Sequence, residues 1–290
     1  MQVGFIGTGH MGTGMAQCVL DAKHELLVFD IRKEATEGLV QKGAKWADVQ
    51  TLAATCEVIF TSLPGPKQFE EVALNKTTGL INHMKAGSAL FDTTTNSPEV
   101  VRKVAASLKA KGIEAMDSPV SGSAPQQTMM VGGNKAVYEK YRPLLGDIAK
   151  NVFYVGDVGS GCIAKLATQY LGYTYFIAAT EAFLMAAKAG VNIQTLAEII
   201  PVSAGRGQIG SFTNAVFKRN FEGQGTLDII VKDMTLACEV AHKAQSPAFT
   251  GAISKDIFER AQALGWGNKP FYNAVQVLEQ MAGIQLQAPK

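Results

Sequence analysis

The sequence predicts an α/β domain built on a doubly wound, mostly parallel sheet, followed by an all-helical domain. Three observations lead there. Short apolar runs alternate with helix-period segments through the first half. A glycine-rich turn joins the first run to the first helix. Beyond Gly159 the strand-like runs stop and long helical patterns take over.

Val3–Ile6, Leu26–Phe29, Val58–Ser62 and Ala89–Asp92 read as the clearest strands, and Ile113–Asp117, Met129–Val131 and Val152–Tyr154 as shorter ones. Helical periodicity fills 11–22, 34–42, 67–74, 98–111 and 134–149. Apolar strands separated by helices are covered on both faces, as parallel strands generally are. Ligands in such a sheet sit beyond the C-terminal strand ends. Ser62-Leu63-Pro64-Gly65-Pro66 and Asp92-Thr93-Thr94-Thr95 fall there, although Pro, Gly and Thr are also ordinary loop residues.

Residues 161–189 read as one long helix, apolar on more than one side, so most of its faces are expected to be buried. Sharing it with a second subunit is one way to bury it; a thick monomer core is the other. Further helices are expected at 193–200, 208–217, 226–243, 247–263 and 270–282. The expected boundaries are 1–159 for the sheet domain and 160–290 for the helical one.

Composition narrows the classes. The 290 residues are 47% hydrophobic and 18% charged, as in an ordinary folded protein, with a net charge of +2 and no dense Lys/Arg tract. Nucleic acid is therefore not an expected partner. Cys18, Cys56, Cys162 and Cys238 show neither close pairing nor metal-ligand spacing, which fits reduced thiols. His24, His83 and His242 are scattered, so no metal site is expected. Glycine and charge interrupt every apolar stretch, and the N-terminus enters a strand at once. Neither a membrane span nor a signal peptide is read, and a cytoplasmic setting follows; a processed organelle protein would read the same.

The turn itself is Val3-Gly4-Phe5-Ile6-Gly7-Thr8-Gly9-His10-Met11-Gly12. Gly7 makes the tight turn, Gly9 lets phosphates approach the backbone, and Gly12 lets helix and strand pack closely. Such spacing also occurs in turns that hold no ligand. The second strand ends at Asp30, where a carboxylate can accept a ribose 2′-hydroxyl and would repel a 2′-phosphate. That favours NAD over NADP. Arg32, two residues on, suits a 2′-phosphate and keeps NADP open, and Asp30 has the alternative of capping the next helix. These are the Rossmann-type features of the first domain.

At the start of the long helix, Lys165 and Gln169 are four apart and share a face. A lysine there is partly desolvated, which lowers its pKa and suits proton exchange near neutral pH. A packed stem with its ammonium in water is the alternative.

With these segments in place, the chain resembles the β-hydroxyacid dehydrogenase family, related to the 6-phosphogluconate dehydrogenase superfamily, over essentially its full length. Phe5 to Gly12 resembles the family's cofactor motif, Asp117-Ser118-Pro119-Val120-Ser121-Gly122 its substrate signature, Gly159 to Gln169 its catalytic helix, and Lys232-Asp233 its later Lys-Asp motif. The resemblance implies an NAD(P)-dependent oxidoreductase acting on a small carboxylate-bearing β-hydroxyacid or its semialdehyde, in a homodimer or homotetramer. It implies that Gly7, Gly9, Met11, Gly12 and Asp30 hold the adenosine and pyrophosphate end, with His10 and Arg32 beside them. Leu63, Pro64, Thr95 and Lys232 would line the nicotinamide side. Ser121, Gly122, Ser123 and Gln169 would contact substrate, and Lys165 would be the general acid/base.

Three departures bear on the substrate. Gln169 stands where the family usually has Asn, and its extra methylene moves the amide by about 1.5 Å. Ser123 replaces a usual second Gly, and the segment Ser123-Ala124-Pro125-Gln126-Gln127-Thr128 is short, with Pro125 restricting it further. His10 sits inside the glycine turn, either against the cofactor or facing solvent. Two alternatives follow: an imine reductase-like enzyme, which Lys165 argues against, and a cofactor-binding protein without turnover.

Overall fold

A computed structural model describes residues 1–207, 215–222, 225–228, 230–231, 234–235, 242, 245–283 and 285; at 170–174, 176–177, 179–181, 184, 188 and 193 it describes the backbone alone. The chain divides into two compact units, Met1–Tyr170 and Leu171–Lys290.

In the first unit each of the first five strands is followed by a helical crossover, which is why the first six strands run parallel to one another. The chain order is β1 (Gln2–Ile6), α1 (His10–Asp21), β2 (Glu25–Phe29), α2 (Glu37–Val40), β3 (Lys45–Trp46), α3 (Val49–Thr55), β4 (Val58–Thr61), α4 (Pro66–Leu74), β5 (Ala89–Asp92), α5 (Pro98–Lys109) and β6 (Glu114–Asp117). Then come β7 (Val120–Ser121), β8 (Thr128–Gly132), α6 (Lys135–Ile148), β9 (Asn151–Gly156) and α7 (Ser160–Lys188). Across the sheet the order is β3-β2-β1-β4-β5-β6-β8-β7, with β9 also paired to β8. The first six strands are parallel; β8 runs against β6 and β7.

Both faces of the central strands are covered, so β4 and β5 are buried at every position. On one face Phe5, Phe60 and Phe91 stack across adjacent strands with ring centroids 5.9 and 5.4 Å apart, and Tyr141 of α6 meets Phe91 edge-on. Met15 and Val19 of α1 pack into the same cluster. On the other face Ile6, Ile59 and Leu90 pack against Leu52 of α3, Phe69 of α4 and Val104 and Leu108 of α5. The register aligns Ile6 with Thr61, Thr61 with Asp92 and Asp92 with Asp117, so these strands end together. Everything chemical in this unit grows from that edge.

The sheet predicted from the sequence is present, with three additions. β3 and β7 have two residues each, too few to show a period, and α3 is a seven-residue helix whose first turn Asp48 caps through the Thr51 N–H, 2.7 Å away. In the second unit, α8 (Ile193–Ile199) and the helices Phe249–Ala261 and Val275–Ala282 match expected segments. Leu227, Ala261, Ala274 and Val277 form its buried cluster. The helix expected at 208–217 lies outside the described residues as far as 214, and 216–218 is a single 3-10 turn. Of the 226–243 segment, the described positions 227–228, 230–231, 234–235 and 242 are helical.

The long helix α7 forms, but it is not buried all round. Ile163, Leu166 and Tyr175 are each about half exposed. Among the described residues, no helix is long and apolar enough to cross a membrane.

Candidate active site

The first cluster of predicted residues surrounds the junction between β1 and α1. Gly7 has φ +92°, and a Cβ there would lie 2.2 Å from the Ser62 carbonyl oxygen. A Cβ on Gly12 would lie 1.9 Å from the Gly7 carbonyl oxygen. Both positions therefore require glycine, one for its turn and one for close approach. Gly9 differs: a Cβ there meets no atom within 4 Å. Gly9 begins α1 with no side-chain cap, so the first backbone N–H groups of the helix point outward without an internal acceptor. The Thr8 hydroxyl beside them is buried and has no partner among the described residues. His10 is exposed, and Met11 is half-buried against the core.

An uncapped helix N-terminus, open space over Gly9 and an orphaned buried hydroxyl fit the pyrophosphate of a dinucleotide. Asp30, at the end of β2, closes the turn from the side. One carboxylate oxygen accepts the Thr8 N–H and the other the Arg32 N–H, each at 2.9 Å. Asp30 thus ties β2 to the glycine turn rather than capping the next helical turn, Lys33–Thr36, which has no side-chain cap. Each of its oxygens keeps a free lone pair for a ribose hydroxyl. The Arg32 side chain is exposed.

The ends of β4 and β5 supply the neighbouring loops. The Leu63 N–H donates to the Thr94 hydroxyl at 3.0 Å, and the Leu63 side chain lies beside Gly7. Pro64 and Thr95 are exposed at the same strand ends. Under them Asp92 is fully buried, accepting from Thr61 Oγ1 at 2.8 Å, Asn96 Nδ2 at 2.7 Å and the Thr94 N–H at 3.2 Å. Burial pushes its carboxyl up to about 6, against the opposing pull of these donors. Its backbone carbonyl accepts from Ser118 N–H at 2.7 Å, which joins the β5 loop to the predicted substrate signature.

That signature spans the turn from β6 into β7. Ser121 pairs with Thr128 across β7 and β8, Gly122 turns with φ +87°, and Ser123 is exposed. The short segment 122–127 is therefore a hairpin loop. Gln127 anchors it, buried, with Nε2 donating to the Ile148 carbonyl at 3.2 Å, while the Lys150 N–H donates to the Pro125 carbonyl at 3.0 Å. Ala124 rests beside Gly14 of α1.

Lys165 lies in the second turn of α7 and is only 6% exposed. Burial lowers the pKa of its amine. Among the described residues no carboxylate pairs with it, and no hydrogen bond joins it to Ser121 or Ser123. Gln169, one turn further, is half-buried. Lys232 lies outside the described residues. No group of three or more metal-ligating side chains occurs among the described residues. The sequence reading assigned no role to the Thr8 hydroxyl, placed Asp92 only in a loop beyond a strand end, and gave Asp117 only as the start of the substrate signature; a carboxylate that ends an apolar strand is the signal that marks the last two.

A parallel sheet with a glycine turn opening onto an uncapped helix defines a dinucleotide-binding protein. Comparison with known proteins narrows this. Residues 2–156 match the NAD-binding domain of 6-phosphogluconate dehydrogenase, and residues 159–278 the NAD-binding domain of NADP-dependent 3-hydroxyisobutyrate dehydrogenase. The 2-(hydroxymethyl)glutarate dehydrogenase of Eubacterium barkeri is 33% identical, covering 99% of this chain and 97% of its own. The NAD-dependent L-serine dehydrogenase of Pseudomonas aeruginosa is 31% identical over 93% and 95%. An imine reductase from Myxococcus stipitatus in complex with NADP+ superposes with a TM-score of 0.86 over 96% of this chain and 100% of its own; at 16% identity this shows the fold alone. The chain belongs to the 3-hydroxyisobutyrate dehydrogenase-like, β-hydroxyacid dehydrogenase family, an NAD(P)-dependent oxidoreductase of small molecules.

Proposed function

We propose that the protein oxidises the primary hydroxyl of a 2-substituted 3-hydroxypropanoate to the semialdehyde, or runs the reverse reduction, with NAD as the favoured cofactor. The largely buried Lys165 side chain, which no carboxylate pairs with among the described residues and whose amine burial shifts toward the neutral form, is the observation that carries this reading. The substrate class comes from the relatives: 2-(hydroxymethyl)glutarate, L-serine and 3-hydroxyisobutyrate all place a CH2OH group on the carbon that bears a carboxylate. They differ only in that carbon's third substituent.

Nicotinamide, when bound, accepts or donates the hydride; the chain's residues orient the reactants and manage one proton. A lowered pKa leaves more of the Lys165 amine unprotonated near neutral pH, so Nζ can accept the hydroxyl proton during oxidation. In reduction the ammonium donates to the carbonyl oxygen and then protonates the alkoxide. The Ser121 hydroxyl and Gly122 N–H donate to the substrate carboxylate, fixing the span from anchor to reacting carbon. Gln169 and Ser123 meet the variable substituent. Gly7, Gly9, Met11 and Gly12 hold the pyrophosphate, with His10 at the rim. Asp30 holds the adenine ribose, which favours NAD, and Leu63, Pro64, Thr95 and Lys232 flank the nicotinamide.

In this reading residues 1–159 bind the dinucleotide and 160–290 serve substrate binding and assembly. Phe249 and Ile253, four apart on one helix and 75% and 68% exposed, offer apolar surface for a homodimer or homotetramer. The test is nicotinamide absorbance over the three acids, each with NAD and with NADP. Turnover of at least one acid, faster with NAD, is expected. Dinucleotide binding without turnover of any acid or its semialdehyde would overturn the reading.

A further inference from the structure

We infer that Asp117 is the positioning residue for Lys165, a buried carboxylate that clamps the start of α7 to the end of β6 and so fixes where the Lys165 amine stands. The inference rests on the reading of Lys165 as the proton-transfer group.

Asp117 is fully buried. One of its oxygens accepts the Gly159 N–H at 2.8 Å and the other the Cys162 N–H at 2.7 Å. These partners lie 42 and 45 residues further along the chain. No lysine, arginine or histidine pairs with Asp117 among the described residues. A buried carboxylate without a cation is costly unless other donors hold it. Here the donors are the free N–H groups at the N-terminus of α7, whose partial positive charge favours an anion. A helix that needed only a cap would obtain one from a neighbouring Ser, Asp or Asn. A carboxylate brought from a strand does something more: it fixes the helix against the sheet.

Packing closes the clamp from the other side. A Cβ on Gly161 would lie 2.5 Å from the Met130 carbonyl oxygen and 2.7 Å from that of Asp117. A Cβ on Gly132 would lie 2.6 Å from Asp117 Oδ1. The two hydrogen bonds resist withdrawal of the helix, and these backbone contacts resist closer approach. The Cys162 thiol is held in the same place, pushed up by burial and by the charges of Asp117 and Asp92. Lys165 follows Cys162 by three residues, within one turn, so any shift of the helix start moves Nζ with it. A displacement of about 1 Å is enough to harm a positioned reaction.

The test is Asp117→Asn in the full-length protein. Asn keeps the size but turns an NH2 toward one of the two N–H donors, releasing half of the clamp. Lysine reactivity toward acetic anhydride, followed by peptide mass spectrometry across a pH series, reads the Lys165 amine without using enzymatic turnover. In the wild type, Lys165 is expected to titrate below the ordinary range of a solvated lysine. In D117N its midpoint should rise by roughly half a pH unit or more toward that range as α7 loosens and water reaches the amine. NADH binding, followed by fluorescence, should stay within about twofold, because the glycine turn does not touch the clamp. A folded, NADH-binding D117N whose Lys165 titrates as in the wild type would overturn the inference. If D117N does not fold, amide exchange in the wild type decides: the Cys162 N–H should be protected like the middle of α5, and exchange as fast as the open first turn of α1 would refute the clamp. Failure of the acids to turn over would instead count against the proposed function, since neither readout uses a substrate.

Discussion

Two strand-to-helix junctions in the sheet domain are built from similar parts and left in opposite states. At the first, Gly12 packs against Gly7, and α1 begins uncapped beside open space. At the second, Gly161 packs against Met130 and Asp117, and the carboxylate of Asp117 fills the N-terminus of α7. A helix N-terminus attracts an anion in either case. The first waits for one from outside; the second receives one from its own chain and becomes a fixed platform. In the proposed function, dinucleotide binding and proton transfer thereby fall to different junctions of one sheet.

The largest expected effect breaks the first junction outright. Gly12→Ala forces a methyl onto the Gly7 carbonyl and should destabilise the protein by roughly 3 kcal/mol, with loss of NADH binding; urea melts and fluorescence titration check both. Next in size is the pH dependence set by Asp92. Its folded pKa, about 6, exceeds the ordinary carboxylate value, so the unfolded chain gives up this proton first as pH rises. Stability contributed by the protonated form is full below pH ~4 and lost by pH ~6, amounting to about 3 kcal/mol. Subtracting the urea stability of Asp92→Asn from that of the wild type at several pH values in this window isolates it.

Smaller effects sharpen the comparison. Gly9→Ala adds a methyl where the structure has room, so its melting temperature should match the wild type, while NADH binds about tenfold more weakly because the methyl blocks anion approach to the N–H groups. That split between stability and affinity is what an open junction predicts, and G12A should not show it. Smallest is His24→Ala. The 3.1 Å pair of His24 with Asp147 lies beyond the far end of α1 and is partly solvent-exposed, so its loss should change stability by about 0.5 kcal/mol at most and leave NADH affinity alone.

The sheet was legible because β1, β4 and β5 are short apolar runs with turn residues at their ends, a pattern that burial on both faces imposes. The turn and close packing at Gly7 and Gly12 were legible from spacing; Lys165 stood out by sharing a face with Gln169 on an apolar helix, but its acid/base role came from the family resemblance and not from that pattern. The clamp was not legible. Asp117 stands only 42 and 45 residues from its partners in sequence, and no periodicity reports a contact made by tertiary folding. Asp30 was read as a ribose acceptor at the end of β2, with capping as the alternative; its bond to the Thr8 N–H was not legible, because it depends on how β2 lies beside β1. The exposure of Ile163 and Leu166 escaped notice for a related reason: apolar composition says that a helix face seeks cover, not whether its own chain supplies it.

The most direct test of the division of labour is Lys165→Ala, with NADH binding and turnover of the reactive acid measured on the same preparation. The account predicts an NADH affinity within about twofold of the wild type and turnover reduced at least ~100-fold. Turnover that survives the substitution, or affinity and turnover lost together, would contradict it.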